Sequence, residues 1–280
     1  IKHWIKNVLL FFPIVFSGRL METELALRVG IGTFAFCLVA SAVYILNDLK
    51  DRLADRHHPT KRFRPIASGK VNPGLGLLIA TLLSSGGFAI ALALDLWFVA
   101  LLGGYVVLNV AYSFWLKNVG IIDITIIALG FLIRIFSGGV LAGIFVSHWL
   151  VLLTFLLALF LAIAKRRDDL LLEEHAETVR KNISKNYSFR FIDMAMAIFS
   201  AVIIVSYIMY TISPEVIARV GTEYIYLTTL PVVVGMLRYL QITIVGKMSR
   251  SPVDVLYKDV LIQSMMFIWL LSFVLILYLL

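Results

Sequence analysis

The chain has 280 residues, is 61% hydrophobic and only 15% charged, and carries a formal net charge of +8. Soluble domains are about 45–50% apolar and about 25% charged, so the composition excludes an ordinary soluble domain and predicts an all-α polytopic membrane protein, read as one domain over 1–280. The positive charge points to the bilayer rather than to nucleic acid, because Lys and Arg collect on the cytoplasmic side of membrane proteins.

A helix needs about 20 mainly apolar residues to cross the hydrocarbon core, and nine such spans are predicted, roughly 5–21, 26–46, 74–94, 96–116, 120–143, 146–164, 191–212, 225–245 and 260–280. No signal peptide with a small-residue cleavage site is expected. The first span is the weakest, being interrupted by Pro13 and flanked by Lys6 and Arg19. The lone cysteine, Cys37, lies in an apolar run and forms no intrachain disulfide. With the N-terminus in the cytoplasm, 20 Lys and Arg fall on inner segments and three, Arg19, Arg28 and Arg219, on outer ones, while Arg134 and Arg238 lie within spans. That asymmetry sets the orientation. Two inner loops are long, about 47–73 and 165–190. Twelve of the 17 carboxylates lie on the same inner side. The positive-inside rule does not require acids there, and chelation of a cation is one reason for them.

The first long loop opens with "YILNDLKDRLADRHHPTKRFRPIASG", Tyr44–Gly69. At about 100° per residue, Asp48, Asp51 and Asp55 fall within about 60° of one helix face and climb about 10 Å along it. Like charges at three- and four-residue spacings destabilise a helix. A divalent cation would relieve the repulsion, and Mg²⁺ is commonly held by one or two carboxylates together with substrate phosphates. The alternative is a solvated helix end whose acids pair with neighbouring arginines. Pro59 and Pro65 interrupt any continuing helix, which puts Lys61, Arg62 and Arg64 on a loop directly after the acidic face. Arginine forks suit phosphate oxygens, whereas a plain positive-inside anchor needs no such geometry. His57 and His58 either bind phosphate or face solvent, and no Cys or His cluster completes a zinc site.

Further along, "NVAYSFWLKN" places Asn109, Tyr112 and Lys117 at the inner end of the fourth span. For Tyr112 an interfacial aromatic role and a site role both stay open. Arg134 sits deep in the fifth span, where a charge is costly and turns to the interior or to a wet cavity; it is a candidate either for the site or for structural pairing. Asp123, about 16 Å away along the same helix, is expected to point into a cytoplasmic cavity. The glycine pairs Gly86–Gly87, Gly103–Gly104 and Gly138–Gly139 read as helix-packing notches. No GxxxxGK segment supports an ATP-driven pump. The second long loop is expected to open with "AIAKRRDDLLLEEH", in which Lys165, Arg166 and Arg167 precede Asp168 and Asp169. Asp169 and Glu173 are four apart and share a face; a snorkelling basic anchor with solvated acids is the simpler alternative.

"NDLKDRLAD" resembles the NDxxDxxxD signature of the UbiA superfamily of intramembrane prenyltransferases. That resemblance implies nine helices around a central cavity open to the cytoplasm, with Mg²⁺ held by Asp48, Asp51 and Asp55 as the catalytic acids. "HPTKRFRP", together with "WIKN", "AYSFWLK", "GFLIRIFSGG", "AKRRDDL", "LRY" and "SPVDVLYKDVLIQ", is similar to the branch that moves 5-phosphoribose from phosphoribosyl diphosphate to a polyprenyl phosphate, in the supply of arabinose donors for cell-wall polymers. The implied substrate-binding set is Lys6, Asn47, Lys61, Arg62, Arg64, Tyr112, Lys117, Arg134, Lys165, Arg166 and Asp169, at a bacterial-type plasma membrane with the site facing the cytoplasm. Assembly into a homo-oligomer stays open. The second motif departs from the DxxxD of prenyl-diphosphate users: KRRDDLLLE offers only Asp169 and Glu173 at that spacing. The competing expectation is prenyl transfer from a prenyl diphosphate to an aromatic acceptor. A transporter is disfavoured because the acids crowd one membrane face rather than the midplane.

Overall fold

The computed structural model describes residues 4–56, 61–175, 185–245 and 252–278. His57, His58 and Pro59 lie outside the described residues, as do Lys2, Glu177, Arg180, Lys181, Lys247 and Arg250 of the charge asymmetry. Every regular element among the described residues is helical. After a 3-10 helix, Trp4–Phe11, come α1 (Phe12–Phe16), α2 (Thr23–Arg56), α3 (Pro73–Leu94), α4 (Leu96–Phe114) and α5 (Ile122–Ala142). They are followed by α6 (His148–His175), α7 (Phe189–Thr211), α8 (Pro214–Val220), α9 (Thr229–Leu240), α10 (Pro252–Lys258) and α11 (Val260–Tyr278). The backbone divides into two compact units, Ile1–Val146 and Ser147–Leu280.

Among the described residues, seven stretches are long and apolar enough to cross a membrane, and two predicted spans, the first and the last, are the shorter apolar helices Trp4–Phe16 and Val260–Ile276. The first stops early because Ser17 and Gly18 donate back to Pro13 and Val15 and Gly18 takes φ +75°. Helices α2 and α6 continue past the predicted span ends, as the helix face read for Asp48, Asp51 and Asp55 requires. Helix α2 does not stop near residue 46; its 34 residues carry "NDLKDRLADR" as helix. Helix α6 likewise runs through "KRRDDLLLEEH", so the segment expected to begin a loop at 165 is helical as far as His175. Many of the charged residues here find partners, as the site geometry below shows.

In the first unit, α3 follows a cap built for it: Pro73 needs no backbone donor in the first turn, and Asn72 Oδ1 accepts from Gly74 N at 2.8 Å. Asp95 ends α3 and starts α4, accepting from Trp97 N at 2.7 Å and Phe98 N at 3.2 Å. Arg28 on α2 donates to the Leu94 carbonyl at 3.0 Å, covering a carbonyl that the helix end leaves open. The core of this unit contains Leu10, Ile14, Phe36, Phe98, Leu102 and Leu141. Between helices in lipid, contact is favoured by close packing rather than by transfer from water, so small residues govern it. Gly87 is such a point: a Cβ there would meet Val39 and the Ala35 carbonyl of α2. At Gly138 a Cβ would run into the Leu10 backbone, so the N-terminal 3-10 helix packs on α5 through a gap that only glycine leaves. Gly139 is similarly crowded by Val146, whereas Gly86, Gly103 and Gly104 have open space around them. The notch expectation thus holds for half of the paired glycines.

In the second unit, Phe160 of α6 packs on Tyr239 of α9, with ring centroids 5.2 Å apart. Tyr207 of α7 joins three elements: its hydroxyl lies 2.7 Å from Thr228 Oγ1 and accepts from Trp269 Nε1 of α11 at 2.7 Å. The predicted eighth span is composite, a 3-10 turn over Glu223–Thr228, then α9, then a π turn over Gln241–Val245.

Gly138→Ala is expected to lower stability by about 1–3 kcal/mol, the scale of overpacking in a filled interior. A thermal melt in detergent reads this as a lower midpoint, and Gly104→Ala, in open space, should lose nothing. An unshifted midpoint for Gly138→Ala would refute the close approach.

Candidate functional site

The three aspartates lie on the last three turns of α2, and the structure divides them. Asp48 and Asp55 are seven residues apart, within about 20° of one another around the axis. Arg64 Nη1 lies between them, 2.7 Å from Asp48 Oδ1 and 2.9 Å from Asp55 Oδ2. Asp51, about 60° from Asp48 around the axis, has a different partner and accepts from Lys117 Nζ at 2.6 Å. Asp55 is nearly enclosed, with 6% of its side chain accessible, against 27% for Asp48 and 25% for Asp51. Among the described residues no group of three His, Cys, Asp or Glu side chains converges on a metal position.

Two connecting segments supply these cations. After α2, Lys61–Phe63 forms a 3-10 turn. The chain then folds on itself through Arg64 N to Lys61 O (3.0 Å), Ser68 N to Arg64 O (2.8 Å) and Val71 N to Pro65 O (3.0 Å). Buried Ile66 and Ala67 anchor the turn, and Arg56 Nε donates to Ala67 O at 3.1 Å. The expected basic triad is thereby split. Arg64 faces the acids, whereas Arg62 is exposed with its guanidinium 4.9 Å from the Phe63 ring centroid. Lys61, also exposed, contributes positive potential at Asp48. The second segment joins α4 to α5 through a 3-10 turn, Leu116–Asn118, which carries Lys117. It closes at Ile121, the one non-glycine residue with positive φ (68°) among the described residues. A β-branched residue in that region is strained, and nothing in the sequence marks it. Lys50 crosses to this segment, donating to the Ser113 carbonyl with its ammonium 4.0 Å from the Phe114 ring centroid. Asn47 Oδ1 accepts from Ser113 Oγ at 3.0 Å, and Tyr112 is half-buried beside it in the chain.

Arg134 is 4% exposed and its guanidinium is engaged on every nitrogen. Nε donates to Asn7 Oδ1 at 2.8 Å, Nη1 to the Gly130 carbonyl at 2.6 Å and Nη2 to the Tyr105 hydroxyl at 3.2 Å. The rings of Phe36 and Tyr105 lie 5.0 and 4.8 Å from its Cζ. It therefore ties the N-terminal 3-10 helix to α4 and α5. Asn7, which sequence reasoning did not single out, also donates to Cys37 Sγ at 3.1 Å. Lys6 lies 6.0 Å from the Phe131 ring centroid. Asp123 does not face an open cavity: it is 2% exposed in the first turn of α5. A cleft of about 240 Å³ between α2, α3 and α4 is lined by Val39, Val43 and Leu46 among others. These positions lie about 140–200° around α2 from Asp48, so the cleft is separate from the acidic face.

In the second unit, Lys165 is exposed, while Arg166 and Arg167 are buried and paired. Arg166 Nη1 donates to Asp169 at 2.8 Å within α6, and Arg167 Nε to Asp193 of α7 at 2.8 Å. Glu173 is buried, and Asp168 acts electrostatically on Tyr239. Arg238, expected within a span, stands in the last turn of α9 and forks onto Asp259, with Nη2 at 2.8 Å and Nε at 3.2 Å from Oδ2. Hydrogen bonds from Arg238 hold the Asp259 carboxyl below the usual carboxylate range. Asp193 and Asp259 are partners that no local spacing announces, because each is set by a helix distant in sequence.

Of the predicted residues, then, Asp48, Asp51, Asp55, Asn47, Arg64 and Lys117 gather at the C-terminal end of α2. Arg134 is built into the packing of the same unit, and Arg166 and Asp169 pair within the other. The pattern of the UbiA prenyltransferase family matches residues 10–271. A Mycolicibacterium smegmatis protein named decaprenyl-phosphate phosphoribosyltransferase is 31% identical over 279 residues, covering 96% of this chain and 87% of its own. A Corynebacterium glutamicum protein of the same name is 29% identical over 281 residues, covering 99% and 84%. Among solved structures, a UbiA homologue from Archaeoglobus fulgidus bound to DMAPP and Mg²⁺ superposes with a TM-score of 0.62 at 17% identity, covering 98% of this chain and 100% of that one. With long apolar helices of membrane-crossing length and a family match over nearly its whole length, the chain is an integral membrane protein that belongs to the UbiA prenyltransferase family.

Proposed function

We propose that the protein transfers 5-phosphoribose from phosphoribosyl diphosphate to a polyprenyl phosphate, on the cytoplasmic side of the membrane and with Mg²⁺. The observation that carries this reading is the cation cluster on the acidic end of α2, where Arg64 and Lys117 meet the carboxylates directly. The likeness to proteins named decaprenyl-phosphate phosphoribosyltransferase over almost the full chain supports the choice of donor and acceptor.

Asp48 and Asp55 fit a divalent cation, because a single positively charged nitrogen already lies within 3 Å of an oxygen of each. Mg²⁺ prefers such oxygen ligands and keeps room for substrate phosphates, and when bound it would neutralise charge on the departing diphosphate. Arg64 and Lys61 would then meet the remaining donor oxygens, with Arg62 exposed to take the 5-phosphate. An oxygen of the lipid phosphate forms the new bond to C1 of the ribose, and the C1–O bond to diphosphate breaks, with the electron pair leaving on diphosphate. A phosphate acceptor is already anionic near neutral pH, so the step needs no buried general base. Prenyl transfer to an aromatic acceptor would instead require a ring proton to be removed. Lys117 pairs with Asp51 and would set the electrostatics on that side of the acidic cluster. Asn47 and Tyr112 lie toward the same end, and Lys165, Arg166 and Asp169 are proposed as further substrate-binding residues. Arg134 and Lys6 would act in the first unit by holding the N-terminal helix against α5. Supply of arabinose donors for cell-wall polymers is the proposed use of the product.

Membranes carrying the protein should release diphosphate from phosphoribosyl diphosphate plus a polyprenyl phosphate, and lose that activity on chelation until Mg²⁺ is returned. Release only from a prenyl diphosphate plus an aromatic acid would reverse the assignment. Asp48→Asn and Asp51→Asn should each lower turnover roughly a hundredfold, the scale seen when metal-site groups are removed, with the melting midpoint retained. Unimpaired turnover in either variant would rule out that carboxylate's role.

A further inference from the structure

The cation between Asp48 and Asp55 belongs to the protein. Arg64 Nη1 lies 2.7 Å from one carboxylate and 2.9 Å from the other, and Asp51 is engaged by Lys117. A divalent ion drawn to the oxygens of Asp48 and Asp55 would meet the guanidinium in the same place, and two positive charges at such separation repel strongly in a partly enclosed site. One of them has to leave. Arg64 is built for departure. Its side chain is 36% accessible. The turn that carries it is held by backbone bonds at Arg64 N, Ser68 N and Val71 N, by buried Ile66 and Ala67, and by Arg56 on the Ala67 carbonyl. None of these uses the guanidinium, so the side chain can swing away while its backbone stays put. Arg134 is the contrast, since each of its nitrogens is spent inside the packing.

We infer that Arg64 is a placeholder cation, which neutralises Asp48 and Asp55 before the metal arrives, is displaced by it, and then turns its fork to the phosphate oxygens of the donor. This rests on the reading of Asp48 and Asp55 as metal ligands and adds an order of events to it. Metal entry frees a phosphate-binding arginine, and phosphate in turn keeps that arginine off the carboxylates. Metal and donor therefore favour each other's binding, and by linkage the coupling is reciprocal.

The test is Mn²⁺ titration of the full-length protein in detergent without donor, with free Mn²⁺ followed by electron paramagnetic resonance. Arg64→Ala should bind Mn²⁺ about tenfold more tightly than the parent, since one charge-assisted competitor has been removed, with Arg64→Lys in between. Equal or weaker binding by Arg64→Ala overturns the placeholder while leaving the metal reading intact; no binding by either protein overturns both. In the unsubstituted protein, Mg²⁺ should speed modification of Arg64 by phenylglyoxal, read by peptide mass spectrometry. An unchanged or slower rate counts against displacement even if the alanine variant does not fold.

Discussion

Three carboxylates on adjacent turns of one helix repel one another, and the C-terminal end of α2 is weakened wherever that repulsion is not met. The structure meets it with cations from outside the helix. Arg64 arrives on the segment after α2 and Lys117 on the segment after α4. Both segments have to fold back toward α2 to deliver them. The first does so through a series of tight turns over buried Ile66 and Ala67, the second through a strained Ile121. Strain of that kind, worth about 1–3 kcal/mol, persists where surrounding structure over-determines it. The charges of one helix end thus draw on two segments, one directly after α2 and one after α4.

Arg134 and Arg64 show two uses of the same side chain. Arg134 is enclosed, and three neutral acceptors and two aromatic faces stand in for water. Removing a buried charged group from such partners leaves them unsatisfied, so its position is a packing position. Together with Gly138 it fixes the N-terminal 3-10 helix on α5, which compensates for the shortness of that first apolar segment. Arg64 is partly open to solvent and bonded only to acids. Its partners are ones that another cation can replace.

Much of this was legible in the residues. The spacing of Asp48 and Asp55 predicts a shared face, and a single arginine nitrogen touching both confirms that they share it. The apolar runs predicted the long helices, because hydropathy reports what lipid demands of a backbone with no water to bond. Three features were not legible, each for a physical reason. Asp51 pairs apart from Asp48 and Asp55 because Lys117, 66 residues away, reaches it. Helices α2 and α6 run well past their apolar stretches, and hydropathy does not set where such charged extensions end. Arg134 finds Asn7 across 127 residues, and no spacing rule reaches that far. The glycine pairs divide for a similar reason: Gly87 and Gly138 meet a neighbour, whereas Gly86 and Gly104 look alike in sequence and meet none.

The extension of α2 carries the argument into function. Ten residues beyond the predicted end of the span, 47–56, add about 15 Å of helix. That distance places acids on the rigid continuation of an apolar body instead of on a loop. Groups fixed to a helix hold their spacing better than groups on a free segment, and a leaving group with two phosphates requires such spacing. Of the exposed large apolar residues of the same helix, Leu27, Ile31 and Phe34 lie in its apolar portion and Leu53 among the charges. One element thus presents a surface fit for lipid at one end and charge fit for a water-soluble phosphate ester at the other. An enzyme that joins a polar donor to a lipid acceptor needs both kinds of surface within one reaction's reach, and on the proposed reading α2 supplies them on a single helix.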